Sequence, residues 1–155
     1  MGAVARRPLA IVAAIVLFVE AIGIVLVNGL MATVVDNQSM SLAGLDPDAM
    51  STGAWVLGGV TGCYLAVCGL FLLLAGARDR APGRAGRAVL ISAAVVHALL
   101  GAVAVGLVGW AAFAFLMVVL ALIVLTLLMY GREEGGVEGG APGGGDAPKE
   151  TPAAA

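Results

Sequence analysis

The sequence contains little charge, few aromatic side chains and a single lysine. Charged residues make up 12% of the 155 residues and aromatic residues 5%, whereas 61% are hydrophobic. A soluble domain carries about 25% charged residues, so much of this chain must face something other than water. No basic tract with interleaved aromatic residues is present, which argues against nucleic acid as a partner. The composition therefore predicts an integral membrane protein whose main partner is the lipid bilayer.

Cysteine is scarce as well, and its spacing predicts neither a disulfide nor a metal site. Cys63 and Cys68 are the only two cysteines, and five residues place them about 140° apart around a helix. No C-x-x-C pair or other metal-binding spacing occurs. The sequence also lacks a nucleophile–base pair and a phosphate-binding loop. We expect no bound metal or cofactor and no enzymatic activity.

The few basic residues are segregated along the chain. The connection 36–50 has no Lys or Arg and carries three aspartates instead. Loops rich in Lys and Arg stay in the cytoplasm during insertion. The pattern predicts a multi-pass protein of the cell (inner or plasma) membrane with cytoplasmic N- and C-termini. The basic residues are Arg6, Arg7, Arg78, Arg80, Arg84, Arg87, Arg132 and Lys149.

Long apolar stretches separate these charges. A spanning helix needs about 20 residues. The 43 residues 88–130 carry no charge, and as one helix they would reach about 65 Å, twice the thickness of the hydrocarbon core. They must fold back, and we place the turn at 106–110. Asp46, followed by Pro47, predicts a helix start. The predicted fold is all-α, a four-helix transmembrane bundle in one domain (1–130), with spans at about 8–35, 52–76, 88–107 and 110–130.

The last 25 residues differ in composition from the rest. Residues 131–155 contain eight Gly and three Pro, no aromatic residue, and five acidic against two basic residues. Such a segment buries too little apolar surface to offset the entropy of ordering. We expect a disordered, mildly acidic cytoplasmic tail.

Small residues recur at four-residue spacing in the middle spans and predict where helices pack. Helices in lipid associate through close approach at small side chains. We expect the two stripes to face each other or the first span, although either could instead serve a homodimer. The fourth span, rich in Leu, Val and Met, is expected to be the most lipid-exposed. The stripe residues are Gly58, Gly62 and Ala66 in the second span and Ala94, Ala98 and Ala102 in the third.

Three polar side chains are predicted at a common depth inside the membrane. Glu20 lies 13 positions after Arg7, about 20 Å along the helix axis. His97 lies about 15 Å from Arg87 by the same count, and Tyr64 about 21 Å from the inner surface. Ionisable groups at this depth normally face the bundle interior. We expect Glu20 to hydrogen-bond or ion-pair with His97, with Tyr64 as a possible third member; Asn28 shares the Glu20 face two turns further out.

Three interpretations of this polar site remain open. In the first, Glu20 exchanges a proton with a substrate. In the second, Glu20 and His97 form a structural clamp that fixes the helix register. In the third, Glu20 is protonated and bonded to a backbone carbonyl. We weight the two structural interpretations above the functional one.

Two resemblances accompany these residues. The segments VEAIG at 19–23, SLAGLDP at 41–47 and RDRAPGR at 78–84 resemble small four-span integral membrane proteins of actinobacterial type, a group with no assigned activity. Separately, the pattern E-x-I-G-x-x-L from Glu20 is similar to the first helix of small multidrug resistance exporters, in which a membrane-embedded Glu binds a proton or a cationic drug. The complete charge bias here departs from those exporters, whose weak bias permits an antiparallel dimer, and few aromatic residues other than Tyr64 are available for a drug cage.

From these observations we expect a non-enzymatic accessory or scaffold protein that acts through helix–helix contacts with a membrane-protein partner or a second copy. The alternative is a small proton-coupled transporter using Glu20.

Overall fold

Four helices make up the described part of the chain. The computed structural model describes residues 2–38, 44 and 46–137, with side chains for 5–38, 44 and 46–131. Each of the four helices is long and apolar enough to cross a membrane, and no strand occurs among the described residues. The predicted all-α architecture and its four spans are confirmed. The helices are α1 (Gly2–Gln38), α2 (Pro47–Arg78), α3 (Arg84–Leu107) and α4 (Trp110–Val137).

The helix boundaries follow local signals in the sequence. Asp46 accepts a hydrogen bond from the Asp48 amide at 2.8 Å and caps α2, as predicted, with Pro47 in the first turn. Gly109 has a φ of 117°, a conformation that favours glycine, and lies in the turn between α3 and α4. That turn falls inside the predicted interval 106–110.

At its C-terminal end, α4 is longer than predicted. It continues to Val137, beyond the expected boundary at Tyr130. Adding residues to a long existing helix requires no new nucleation, so a composition rich in glycine does not stop it at once. The rest of the predicted disordered tail, from residue 138, lies outside the described residues.

The four helices form a ring in chain order. α1 and α2 share the most extensive interface, followed by α3 with α4 and α1 with α4; α2 and α3 share the smallest interface of the neighbouring pairs, and the diagonal pairs hardly touch. α1 therefore faces α3 across the centre of the bundle. The core lies between the helices and is built mainly from Ala13, Ala14, Leu17, Leu65, Leu72, Leu90, Val119 and Ile123.

The α1–α2 interface is close because glycines of α2 meet the backbone of α1. A Cβ on Gly76 would lie 3.3 Å from the Arg7 carbonyl oxygen, and one on Gly69 would lie 3.3 Å from the Ala14 oxygen. Gly62 repeats the contact 3.2 Å from the oxygen of residue 21. The spacing is seven residues on both helices. A strict seven-residue repeat is typical of two helices that wrap around each other with a left-handed twist.

Large apolar side chains cover the outside of the bundle, as lipid contact requires. Leu26, Leu30, Leu99 and Leu107 are each more than 60% exposed. In its most apolar window α4 has the smallest buried share, 17% against 28–33% for the other helices. A smaller buried share for α4 is what the expectation of a more lipid-exposed fourth span requires.

Candidate functional site: an intramembrane Glu–His pair

Glu20 and His97 meet across the centre of the bundle. The His97 Nε2 lies 3.1 Å from the Glu20 Oε2, which joins α1 to the diagonally opposite helix α3. The His97 side chain is 2% exposed and that of Glu20 15%. The expected contact between these two residues is present. This contact joins α1 and α3, which otherwise touch little.

The second ring nitrogen of His97 defines how many protons the pair holds. Nδ1 lies 2.8 Å from the Ala93 carbonyl oxygen. A carbonyl can only accept, so Nδ1 must carry a proton and donate it. Nε2 is then an acceptor in neutral imidazole and a donor only in imidazolium. The Nε2–Oε2 contact therefore holds one proton, either on a neutral Glu20 that donates to His97 or on a charged His97 that donates to a carboxylate.

Both proton positions leave the pair without net charge. A single ion at the bilayer centre costs about 2.5–3.5 kcal/mol or more, and a neutral or internally compensated pair avoids most of this cost. Among the described residues, every buried side-chain N or O atom has a hydrogen-bond partner. The geometry thus fits both a structural clamp and a site that stores one proton. The third interpretation, Glu20 bonded only to a carbonyl, is wrong.

The carboxyl side of the pair faces outward, toward lipid. Glu20 lines a groove of about 570 Å³ between α1 and α4. The other lining residues are apolar: Val19, Gly23, Ile24, Val27, Val108, Ala112, Phe115 and Leu116. His97 does not line this groove. A ligand that entered it from the bilayer would meet the Glu20 carboxyl first.

Tyr64 belongs to a different contact, so its expected membership in the pair is wrong. Its hydroxyl lies 2.7 Å from the Ser92 Oγ, and Ser92 donates at 2.7 Å to the Val89 carbonyl oxygen. Because the serine proton is used by Val89, Tyr64 is the donor to Ser92. This bond joins α2 to α3 on their exposed side. Its bond partner Ser92 lies five residues before His97, about 7.5 Å along α3, so the hydroxyl of Tyr64 does not reach the level of the pair.

Asn28 also lies outside the pair. Its Nδ2 donates at 2.8 Å to the Ile24 carbonyl oxygen in its own helix. Its side chain packs at the α1–α2 interface, where a Cβ on Gly58 would lie 2.6 Å from the Asn28 Cβ. Asn28 therefore satisfies its polar group locally and fills the space that Gly58 leaves open.

The small-residue stripe of α2 packs largely as predicted, against the first span. Gly58 and Gly62 are buried, and a Cβ on Gly62 would overlap the Val25 side chain of α1. Ala66 is half-buried and packs against the core. Of the two expected partners for this stripe, the first span is the one found.

The predicted stripe of α3 is wrong in its direction. Ala98 and Ala102 are exposed, and Ala94 is only half-buried. The buried face of α3 runs instead through Leu90, Ala93, His97, Gly101 and Ala104. His97 determines which face of α3 is buried. When His97 faces its partner in the interior, the adjacent position 98 points about 100° away from it.

A second polar cluster, at the start of α1 and the ends of α2 and α4, was not predicted. Arg6 donates from Nε to Asp79 Oδ1 at 2.9 Å and from Nη2 to Oδ2 at 3.0 Å, a bidentate ion pair. The Arg6 guanidinium lies 5.6 Å from the Tyr130 ring centroid, and the Tyr130 hydroxyl donates to the Ala75 carbonyl oxygen at 3.1 Å. The cluster fastens α1, α2 and α4 together.

The geometry of Asp79 explains why this cluster forms. Asp79 adopts a left-handed conformation (φ 51°) at the end of α2 and directs its amide to the Ala75 carbonyl oxygen. The hydrogen bond from Arg6 holds the pKa of the Asp79 carboxyl below its usual range. Arg7 covers the neighbouring helix end, bonding the Gly76 and Ala77 carbonyl oxygens at 3.3 and 3.2 Å. The one signal in the sequence was that Asp79 is the sole acid in the basic loop 77–87.

The cysteines are both free, as expected, with Cys63 exposed and Cys68 buried. Comparisons of the chain with protein-family models, with curated proteins and with solved structures gave no match. Function must therefore be argued from the geometry alone.

Proposed function

We propose that this chain is an integral protein of the plasma membrane, with both termini in the cytoplasm, and that it is a non-enzymatic accessory or scaffold protein. The orientation rests on the arginines at the inner helix ends and on the absence of Lys and Arg from the connection 36–50. The acidic segment beyond Val137 would then be cytoplasmic.

The observation that carries the scaffold proposal is the exposed small-residue face of α3. Ala98 and Ala102 lie one helical turn apart and are exposed, so the other helices of the bundle do not bury them. Val95 and Leu99, beside them, are 54% and 64% exposed. Small side chains flanked by larger apolar ones allow a second helix to approach closely in lipid. The expected occupant is a helix of another membrane protein or of a second copy of this chain.

Enlarging this face tests the proposal. Ala98→Leu/Ala102→Leu should abolish crosslinking to the partner in membranes, because each added isobutyl group holds the two backbones apart. Ala111→Leu/Ala114→Leu, which enlarges exposed alanines of α4, is the matched control and should leave crosslinking unchanged. Retention of every crosslink by the α3 variant, or equal loss in both variants, would refute a specific role of this face.

Cysteine accessibility tests the orientation. In a variant with both native cysteines replaced by alanine, Arg84→Cys should react with a membrane-impermeant reagent only after the membrane is opened. Labelling from the external medium in intact cells would refute the proposed topology.

A proton-coupled transporter is the second candidate, and one observation favours it. Glu20 shares a single proton with His97 and also lines the groove that opens toward lipid. A substrate that displaced this proton would couple its own binding to proton release. The apolar lining favours a lipophilic cation as the substrate class.

Transport is tested in proteoliposomes with an imposed pH gradient. If the candidate is correct, the unmodified chain exchanges a lipophilic cation such as tetraphenylphosphonium for protons, and the pH gradient drives this flux. Glu20→Gln abolishes the flux while the protein still assembles. Tyr64→Phe, which removes a hydroxyl outside the pair, should retain it. Absence of gradient-driven flux in the unmodified chain would leave the scaffold proposal as the better account.

A further inference from the structure

A groove at the inner ends of α2 and α3 combines basic and apolar walls. It has a volume of about 230 Å³. Phe71 and Leu74 form the wall toward the membrane interior, and Arg78 and Arg80 stand at the inner mouth, with Pro82 opposite. We call this the inner groove. It is formed by the last turns of α2 and by the loop that leads to α3. Leu74 in its wall is exposed, so the groove is open to lipid on that side.

The two arginines of the inner groove are available for a ligand. Arg78 and Arg80 are exposed, and their guanidinium groups have no hydrogen-bond partner in the part of the chain that the structure describes. Asp79, which lies between them in sequence, is already held by two hydrogen bonds from Arg6. The acid that would otherwise neutralise the arginines is thus occupied elsewhere, and two positive charges remain at the mouth.

The neighbouring start of α3 adds to the same positive field. Gly83, the cap residue of α3, lines the groove and offers no side-chain hydrogen bond, and the first turn of α3 contains no acidic residue. The partial positive charge of that helix end is therefore not compensated by a side chain. An anion at the mouth would be attracted by the arginines and by this helix end together.

We propose that the inner groove binds an anionic phospholipid. The phosphate lies between Arg78 and Arg80. A planar guanidinium group can donate two parallel hydrogen bonds to a phosphate, which the compact ammonium group of a lysine does not. The upper part of an acyl chain lies against Phe71 and Leu74. Phe71 is held in place over Gly86, where a Cβ would lie 2.9 Å from the Phe71 ring. Basic pockets between spanning helices are known to take acidic headgroups, and the apolar wall below the arginines distinguishes a lipid from a soluble phosphate.

Lipid titration of the full chain tests this proposal. The delipidated protein in neutral detergent is titrated with phosphatidylglycerol or with phosphatidylcholine of the same acyl chains, and bound lipid is counted by native mass spectrometry. Phosphatidylglycerol should bind at least about tenfold more tightly, because only its net negative charge is attracted by the arginines. Arg78→Gln/Arg80→Gln should weaken phosphatidylglycerol binding about thirtyfold, at about a factor of five for each arginine.

A charge-matched control separates the groove from the general charge of the protein. Arg84→Gln/Arg87→Gln removes the same number of charges from exposed positions of α3 that do not line the groove, and should retain the preference for phosphatidylglycerol. A soluble glycerol phosphate at millimolar concentration should not displace the lipid. Displacement by it would overturn the lipid assignment in favour of a soluble phosphate.

Two further outcomes would overturn the proposal. Equal affinity of the unmodified chain for the two lipids would overturn it. That result would hold even if another group, such as the chain's own acidic tail, fills the groove. Equal loss of binding in the groove variant and in the charge-matched control would show that the attraction is not local. Both variants change exposed residues, and unchanged unfolding curves verify that their folds are intact.

Discussion

Removing either member of the Glu20–His97 pair should destabilise the bundle, and removing both should cost less than the sum. Glu20→Leu leaves the 2% exposed His97 with an unpaired ring nitrogen, which costs about 1–3 kcal/mol. His97→Leu leaves the half-buried Glu20 carboxyl without its hydrogen-bond partner, at a cost of about 1–2 kcal/mol.

The double variant replaces both polar groups by apolar side chains of similar size. No unpaired polar atom then remains at the contact, so the remaining loss is expected to be about 1 kcal/mol. Subtracting this loss from the sum of the two single losses leaves a coupling free energy of about 1–4 kcal/mol. Polar contacts between spanning helices favour the lower part of that range, about 1–2 kcal/mol.

Unfolding by a denaturing detergent in mixed micelles measures these four free energies. The Tyr64–Ser92 bond supplies a control cycle, with Tyr64→Phe and Ser92→Ala. That bond lies on the exposed side of the bundle, and Ser92 keeps a partner in Val89, so its coupling should not exceed about 0.6 kcal/mol.

Additive losses for Glu20→Leu and His97→Leu, within about 0.5 kcal/mol, would refute the pairing. Stabilisation by either single substitution would do the same, because it would mean that the remaining partner carries no penalty.

Two further predictions concern the helix contacts. Gly62→Ala should destabilise the protein by about 1–3 kcal/mol in the same assay, because the new Cβ would overlap the Val25 side chain. Gly59→Ala is the control: a Cβ added there has no neighbouring atom within 4 Å, so this variant should be neutral or more stable by up to about 1 kcal/mol. Equal effects of the two substitutions would contradict the close α1–α2 contact. The second is a pH dependence: because the pKa of Asp79 is lower in the folded state, its ion pair with Arg6 contributes fully above pH about 4 and is lost as the pH falls below that value. Unfolding midpoints measured between pH 3 and 6 should therefore fall at the acid end in the unmodified chain and change less in Asp79→Asn; parallel curves for the two proteins would contradict this.

The sequence predicted what depends on distance along a helix. Uncharged runs can be converted into lengths because the rise per residue is constant, so the number of spans and the turn near Gly109 were accessible. The same arithmetic placed Glu20 and His97 at one depth. Since an unpaired ionisable group is costly at that depth, the contact between Glu20 and His97 could be inferred from their two distances along the helices.

Direction around the helix was less accessible. Tyr64 was expected near the pair from its position along α2, but its hydroxyl bonds Ser92 on the exposed side of α2 and α3, and position along a helix alone does not distinguish its faces. The conflict at α3 was nevertheless present in the sequence: His97 and Ala98 are adjacent, so both cannot face the interior. Giving priority to the residue with the larger burial penalty would have selected Ala93 and Gly101 as the packing positions.

The Arg6–Asp79 cluster depends on information that counting charges does not supply. The basic residues of the loop 77–87 were recognised as a group, but the pairing of Asp79 with Arg6 of α1 depends on the close approach of α1 and α2. That approach follows from glycines 62, 69 and 76 opposite residues 21, 14 and 7, a correspondence that appears only when the two helices are aligned antiparallel.

The two hairpins of this bundle differ in height. Their ends nearest Arg6 are level, since Arg6 bonds Asp79 and Tyr130 bonds Ala75, and Val108 shares the α1–α4 groove with Val27. The eleven residues of α1 beyond Val27, about 16 Å of helix, therefore extend past the α3–α4 turn, where α1 packs against α2. A bilayer of uniform thickness can match one hairpin but not the other. The molecule should lean toward its shorter side or dimple the lipid there, which would make membrane thickness a determinant of where it accumulates.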